Sequence, residues 1–428
     1  MIQTIRRAWN IPELRKKILF TAMMLLIFRI GNAIPVPYVN TAMLKTYLDQ
    51  MSTTVLGLWN AMSGGAFQAA TLFALGVQPY INSSIIIQLL TVAIPALERW
   101  AREGGEEGKK KIQLLTRYAT VAIAVLQGVG YYILMKNNMN ILTSDSIWAA
   151  IVIVVSFIAG SCFVMWMGEQ ISEFGIGNGI SMILFAGIIS RIPTTVTTMV
   201  SNLIAGTMKW WMVLLVVVGV LALITLIVFV HDAERRIPVQ YAKRQVGRKM
   251  YGGQSTNLPM KVSMAGVLPV IFAQSIASLP ITVWSFIGIP AEGTVSRVIY
   301  DAIDTKSIIY MVVYFVMIIG FAYFDSSIQF SPIEIANNLK KQGGFIPGFR
   351  PGKPTVDFIK KVLSKITMFG SIYLGIVAVC PLIIGKIIGN SSISIGGTSV
   401  IIVVGVAIET VKALENQMLM RQYKGFLE

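Results

Sequence analysis

Ten apolar stretches alternate along this chain with charged gaps, and the Lys and Arg residues fall almost entirely into every second gap. A bilayer core about 30 Å thick takes roughly 20 apolar residues per helix. Uncharged runs of that length occur at 147–168, 210–230, 262–290 and 366–385. No soluble domain reads this way, and the pattern specifies an all-α membrane protein.

Taken in order, the spans fall near residues 18–34, 77–97, 116–135, 147–168, 175–205, 210–230, 262–288, 307–324, 366–385 and 397–418. Basic residues then gather at the N-terminus (Arg6, Arg7, Arg15, Lys16, Lys17) and between spans two and three (Arg99, Arg102, Lys109, Lys110, Lys111). They gather again in two long loops, 231–261 and 325–365, while the opposite gaps hold only scattered cations such as Lys45, Lys136 and Lys386. The positive-inside rule therefore puts both termini in the cytoplasm, as an even number of spans requires. Five spans on each side of residue 205 give halves 1–205 and 206–428 that would be related by inversion, an arrangement that sets a central path near the midplane.

Ten spans consume about half of the chain, so the remainder is expected to be loops rather than a soluble domain. The 37 glycines fit close helix approach. Cys162 and Cys380 lie inside apolar runs and read as packing residues. The first run lacks a small-x-small cleavage site and carries Arg29, so it is expected to remain as a span, with Arg29 snorkelling to the interface.

One segment does not read as a simple helix. Residues 60–76 are moderately apolar, too short to span, and interrupted at Gly64, Gly65 and Gly76 before the second span begins. Such a piece is either re-entrant or an interfacial connector; re-entrant backbone is tolerated at membrane depth only against protein or water.

Absences narrow the function. Few ionisable residues, Arg29 among them, lie inside the expected spans, whereas ion-coupled transporters carry such groups as sites or relays. The single histidine, His231, sits beside a basic loop, which leaves zinc and Ser-His chemistry without support. Gly104-Gly-Glu-Glu-Gly108-Lys-Lys lacks the phosphate-loop spacing, and Gly175-Ile-Gly-Asn-Gly179 fails the dinucleotide pattern and reads as the start of helix five. No cofactor is implied, and any energy source must come from elsewhere.

Several motifs, in order, carry a family resemblance: Phe28-Arg-Ile-Gly31 with Ile34-Pro-Val-Pro37, Ser63-Gly-Gly65, Pro79-Tyr-Ile-Asn-Ser-Ser84, Gly175-Ile-Gly-Asn-Gly-Ile-Ser181, Tyr241-Ala-Lys-Arg-Gln245, Asn337-Asn-Leu-Lys-Lys341, Pro347-Gly-Phe-Arg-Pro-Gly352 and Gly396-Gly-Thr-Ser399. Over essentially its whole length the chain resembles the SecY family of bacterial protein-conducting channels. The resemblance implies ten transmembrane helices in two inverted five-helix halves around a central hourglass pore. Such a pore passes unfolded polypeptide across the cytoplasmic membrane or releases apolar segments sideways into lipid.

The same resemblance implies a constriction ring of Val77, Ile81, Ile180, Leu184, Ile271 and Ile402. An aliphatic ring makes a dewetted neck that resists ions and offers a sliding peptide no specific bonds. Residues 61–74 correspond to a short plug helix, with Ser63, Gly64, Gly65, Ala66, Ala69 and Ala70 as its small residues for close seating and easy displacement. Asn82, Gln127 and Gln274 align with a lateral gate, where hydrogen bonds between helices are expected to hold the seam shut.

Lys243, Arg244, Arg248, Lys249 and Arg350 are the implied docking residues for the SecA motor ATPase and the ribosome, whose RNA phosphates suit Lys and Arg. SecE-like and SecG-like subunits, preproteins with signal sequences and membrane lipids complete the implied partners. A secondary transporter of a small solute is the competing class; it predicts a charged midplane site that the sequence lacks.

Overall fold

In this computed structural model the described residues are 2–50, 55–102, 104–137, 141–206, 209–241, 244–246, 249–251, 255–262, 266–287, 294–304, 307–388 and 391–424. The chain opens with α1 (Ile2–Trp9), α2 (Pro12–Gly31), α3 (Thr41–Gln50), α4 (Val55–Met62), α5 (Gln78–Ala93) and α6 (Pro95–Arg102). It continues with α7 (Gly105–Asn137), α8 (Ile147–Phe174), α9 (Gly179–Ile189), α10 (Ile192–Ile204) and α11 (Trp210–Asp232). Four strands follow: β1 (Glu234–Tyr241), β2 (Arg244–Val246), β3 (Lys249–Tyr251) and β4 (Ser255–Lys261). The remainder is α12 (Leu268–Ile287), α13 (Val295–Ile303), α14 (Ile308–Gln329), α15 (Pro332–Lys341), β5 (Gly344–Phe345), α16 (Lys353–Ile388) and α17 (Ser391–Lys424).

Each of the ten expected stretches falls on a helix or helix pair. By length and composition alone, six helices among the described residues can cross a membrane. Gln78–Ala93 with Pro95–Ala101, bent by 107°, makes a seventh if the pair is one span. Proline explains that bend: it disfavours helical backbone in the residue before it, and Ile94 is extended at φ −109° and ψ 113°. The fifth expected span, 175–205, is likewise two helices, α9 and α10, because α10 restarts with Pro193 in its first turn.

The glycine-rich start of α9 follows from capping. The Asn178 side chain accepts hydrogen bonds from the backbone N–H groups of Ile180 and Ser181, at 3.1 and 3.3 Å. Gly177 ahead of it takes a left-handed φ of 71°, which a side chain would resist. Gly179 is required for a different reason: a methyl group there would land on the Gly168 carbonyl of α8.

The main core joins α2, α5, α8, α9, α11, α12, α14, α16 and α17 through side chains that include Phe28, Ile85, Ile171, Ile183, Tyr314, Val377 and Val406. By contrast, only 11% of the apolar window of α11 is buried, so that helix turns most of its surface outward.

Two expectations are corrected. The loops 231–261 and 325–365 are not plain loops: β1 pairs antiparallel with β4 and with β5 in one sheet. Ile237 and Val239 alternate inward and pack with Met260, Leu339, Ile346 and Ile359 in a small separate core. Also, the helix expected over 61–74 lies earlier, at Val55–Met62, and residues 63–77 run as successive turns. Positive φ at Gly64, Gly65, Ala70 and Gly76 interrupts any helix there.

Candidate functional site

Four elements carry the six residues expected to form the ring. Val77 caps the start of α5 and Ile81 lies one turn in. Ile180 and Leu184 are on α9, Ile271 on α12 and Ile402 on α17. Val77, Ile81, Leu184, Ile271 and Ile402 are all buried in the main core, and Ile180 packs against it, its side chain over the bare backbone of Gly168. A methyl group at Gly168 would displace Ile180, so the flat α8 surface sets where this ring member sits.

Above the ring, toward the end that carries the basic loops, lies a cavity of about 760 Å³. Its lining includes Ile81, Ile180, Leu184 and Ile271 together with Lys110, Arg117, Glu169 and Glu173. Arg117 and Glu169 pair across α7 and α8 at 2.9 Å. The cavity lining thus combines exposed charged groups with buried aliphatic side chains, and polar residues such as Ser84, Asn178 and Ser181 lie among them. Water solvates the charged groups, whereas the aliphatic side chains offer an ion nothing in exchange for its water.

Beyond the ring, residues 63–76 fill the opposite side. Ser63, Ala66 and Ala70 are buried, and Gly64, Gly65 and Ala69 are half-buried. Small size explains part of this seating: the Cβ position of Gly64 lies 3.0 Å from the Gly187 backbone of α9. The segment is nevertheless anchored by large aromatic groups, contrary to the expectation of an easily displaced stretch of small residues. Phe67 stacks on Tyr131 of α7 with ring centres 4.3 Å apart, and the Tyr131 hydroxyl donates to the Phe67 carbonyl. Phe73 lies between Phe28 and Phe163, at 6.0 and 5.9 Å. Ser161 of α8 donates to the Gly76 carbonyl at 3.3 Å.

Asn82, Gln127 and Gln274 are all buried, on α5, α7 and α12, and α12 packs against both of the other helices. The hydrogen bonds expected among them are not formed. The side-chain carbonyl oxygens of Gln127 and Gln274 are sealed from solvent without a partner among the described residues. An unpartnered buried amide costs about 1–3 kcal/mol, so these groups weaken the packing of α12 against α7. The contact that does join α5 to α7 is Ser83 with Thr120, hydroxyl to hydroxyl at 2.6 Å.

Of the basic loop residues, Arg350 is exposed on the turn that leads from β5 into α16. Gly348 and Gly352, at φ 88° and 109°, shape that turn, and the Thr355 hydroxyl donates to the Arg350 carbonyl at 2.8 Å. Arg244 and Lys249 lie on the paired strands β2 and β3, opposite Tyr251 and Val246. Lys243 and Arg248 lie outside the described residues.

Sequence reasoning missed Arg29 and Asn32. The expected snorkelling residue, Arg29, donates to the Gly64 carbonyl at 3.3 Å and to the Ser190 hydroxyl at 3.0 Å. Asn32 donates to the Ser63 carbonyl at 3.2 Å. The only signal for these pairings in the sequence was a charge in an apolar run.

Comparison with known proteins agrees with this architecture. The SecY family model matches residues 71–411. The protein translocase subunit SecY of Streptomyces scabiei is 44% identical over 441 residues, covering 100% of both chains, and that of Halalkalibacterium halodurans is 42% identical, again over 100% of both. Among solved structures, a protein-conducting channel superposes with a TM-score of 0.65 at 19% identity, covering 94% of this chain and 92% of that one. Sec61 from a canine ribosome–channel complex superposes at 0.60 and 18%, with the same coverage. With a family model matching residues 71–411 and relatives at 42–44% identity over the full length of both chains, the chain belongs to the SecY family, the channel subunits of the general secretory translocase.

Proposed function

We propose that Val77, Ile81, Ile180, Leu184, Ile271 and Ile402 form the collar through which unfolded polypeptide passes, and that residues 61–74 seal it at rest. As a member of its family the chain is a multi-pass membrane channel, not an enzyme. The observation that carries the collar is that five of the six side chains share one buried cluster with Ile180 packed against it, and that four of them, from α5, α9 and α12, also line the cavity. An extended chain can slide past alkyl groups because nothing there bonds to it, while an ion would have to shed its water.

In this reading the halves 1–205 and 206–428 open as a clamshell in the bacterial cytoplasmic membrane, with both termini and the basic loops in the cytoplasm. The charge bias of the gaps supports that orientation. The folded basic loops dock the SecA motor ATPase after translation and the ribosome during it, and these partners supply the energy. The Sec61 relative in a ribosome–channel complex supports the ribosome as a partner. SecE-like and SecG-like subunits and anionic lipids complete the assembly, and the outward-facing apolar surface of α11 is available to one of them.

The experiment is a site-specific crosslink. A photoreactive residue at Ile81 or Ile271 should crosslink to a preprotein stalled in transit, and a probe on the exposed side of α11, at Leu221, should not. A stalled chain that reacts at neither ring position would remove the collar from the path and reopen the solute-transporter reading.

In the same reading Asn82, Gln127 and Gln274 form the seam that an apolar signal helix parts; the packing of α12 on α5 and α7 and the unpartnered side-chain carbonyls of Gln127 and Gln274 support it. Replacing all three with Leu removes a cost of about 1–3 kcal/mol at each of the two unpartnered carbonyls and tightens the seam. Export of a preprotein with a weakened signal sequence should therefore drop severalfold, while a strong signal is exported normally. Equal export of both substrates by the triple variant would end the gate assignment.

A further inference from the structure

We propose that Arg29, with Asn32 beside it, is the latch that holds the plug segment in its closing position. The proposal rests on the plug reading above and adds the group that keeps the segment seated. Arg29 and Asn32 are three residues apart at the end of α2 and therefore share a face. They donate to the consecutive carbonyls of Gly64 and Ser63, at 3.3 and 3.2 Å, just where the chain leaves α4. The guanidinium also donates to the hydroxyl of Ser190, the residue that caps the C-terminus of α9, at 3.0 Å.

Three helices thus end around one cation: α2 at Gly31, α4 at Met62 and α9 at Ile189. A helix C-terminus carries a partial negative charge and leaves carbonyls without an intrahelical partner. One guanidinium nitrogen, Nη1, serves both the Gly64 carbonyl and the Ser190 hydroxyl, and the planar group fixes the directions in which its donors point. This accounts for the single charge inside an otherwise apolar first span better than snorkelling does, because a side chain that merely reached for water would not bridge two other elements.

The surrounding packing fits one seated arrangement. The backbone of Gly64 lies against Gly187, so the plug carbonyls reach the cation only when the segment is fully home. One residue before Asn32, Gly31 lies directly under the Phe73 ring; a methyl group there would overlap the ring. The end of α2 therefore holds the segment at both ends, by polar contacts at residues 63–64 and by an aromatic seat at residue 73. Moving the plug out of the path breaks the Arg29 contact to Gly64 but leaves that to Ser190, so the cation stays in place to receive the segment again.

The test uses the full chain, with its natural cysteines replaced by Ala, in membrane vesicles and planar bilayers. Two readouts are taken: resting ion conductance, and labelling of an Ala69→Cys variant by a membrane-impermeant maleimide. Arg29→Met should raise both by about tenfold, the scale of one charge-assisted hydrogen bond. Arg29→Lys keeps the charge but not the fork and should restore part of the difference. Ser190→Ala leaves the Gly64 contact intact and should raise both readouts by a smaller factor.

A channel lacking residues 61–74 is measured in parallel. If that deletion leaks while Arg29→Met matches the parent in both readouts, the latch is wrong and the plug stands. If the deletion does not leak, the plug reading fails and takes the latch with it. If Arg29→Met leaks but Arg29→Lys is no better, the cation has no positioning role and the proposal is overturned. Should Arg29→Met fail to accumulate in the membrane, Arg29→Lys and Ser190→Ala decide, and parent-like labelling in both counts against the latch.

Discussion

A channel with Ser in place of both Ile81 and Ile271 is expected to conduct ions at rest at least about thirtyfold above its parent, by the worth of two polar groups offered to water at about 1 kcal/mol or more each. The two side chains line the cavity and are almost fully buried, at 5% and 4% exposure. Each hydroxyl gives a water molecule a partner where none existed, so the neck wets, and a wet neck admits ions. Trimming buried Ile also costs packing, and a conductance rise alone could report a loosened core. The double Val variant separates the two effects: it loses methylene groups but stays dry, and its conductance should remain at the parental level. If the Ser and Val variants conduct alike, the collar's apolar character is not what excludes ions.

Charge reversal at Arg350 has the second large effect. If Arg350 docks the motor as proposed, motor-driven translocation should fall at least about tenfold, the scale of replacing a charge-assisted contact worth about 1.5–3 kcal/mol with repulsion. Membrane insertion of the chain itself should be unchanged, since exposed substitutions away from packed groups usually shift stability by less than about 0.5 kcal/mol. The turn would still form, because its shape comes from Gly348, Gly352, the Thr355 hydroxyl and the Phe349–Phe358 ring contact at 4.2 Å. Translocation of a purified preprotein into vesicles, driven by SecA, is the measurement. Parental rates in Arg350→Glu, at low salt where surface charge acts most strongly, would refute the docking role.

The membrane helices were legible because lipid imposes a simple rule, about 20 apolar residues per crossing, and runs such as 210–230 obey it without exception. Their ends were less legible. Ile94 and Arg191 precede or flank prolines that break the second and fifth spans, a local signal that overall hydropathy averages away. The sheet of the basic loops was hidden because its core is assembled from distant pieces: Val239 and Met260 of one loop pack with Leu339 and Ile359 of the other. The glycines of residues 60–76 did mark a break in the helix. Nothing in that stretch revealed the aromatic anchors, since Phe67 meets Tyr131 from 64 residues away. The six residues proposed for the ring were singled out only through family resemblance, because an Ile facing an axis and an Ile facing lipid are the same letter.

The turn at Arg350 runs directly into α16, a single helix of 36 residues from Lys353 to Ile388. At about 1.5 Å per residue such a helix is on the order of 54 Å long, enough to reach from beyond one face of the bilayer to the other. Thr355 and Phe358 clamp the turn to the first coils of this rod. A partner that tilts the tip therefore swings the remote end through a larger arc, with Pro381 as an interior flexing point. Because α14 and α17 pack along the same helix, a displacement of the Arg350 turn would be felt by the core contacts of α16 as well as at the surface.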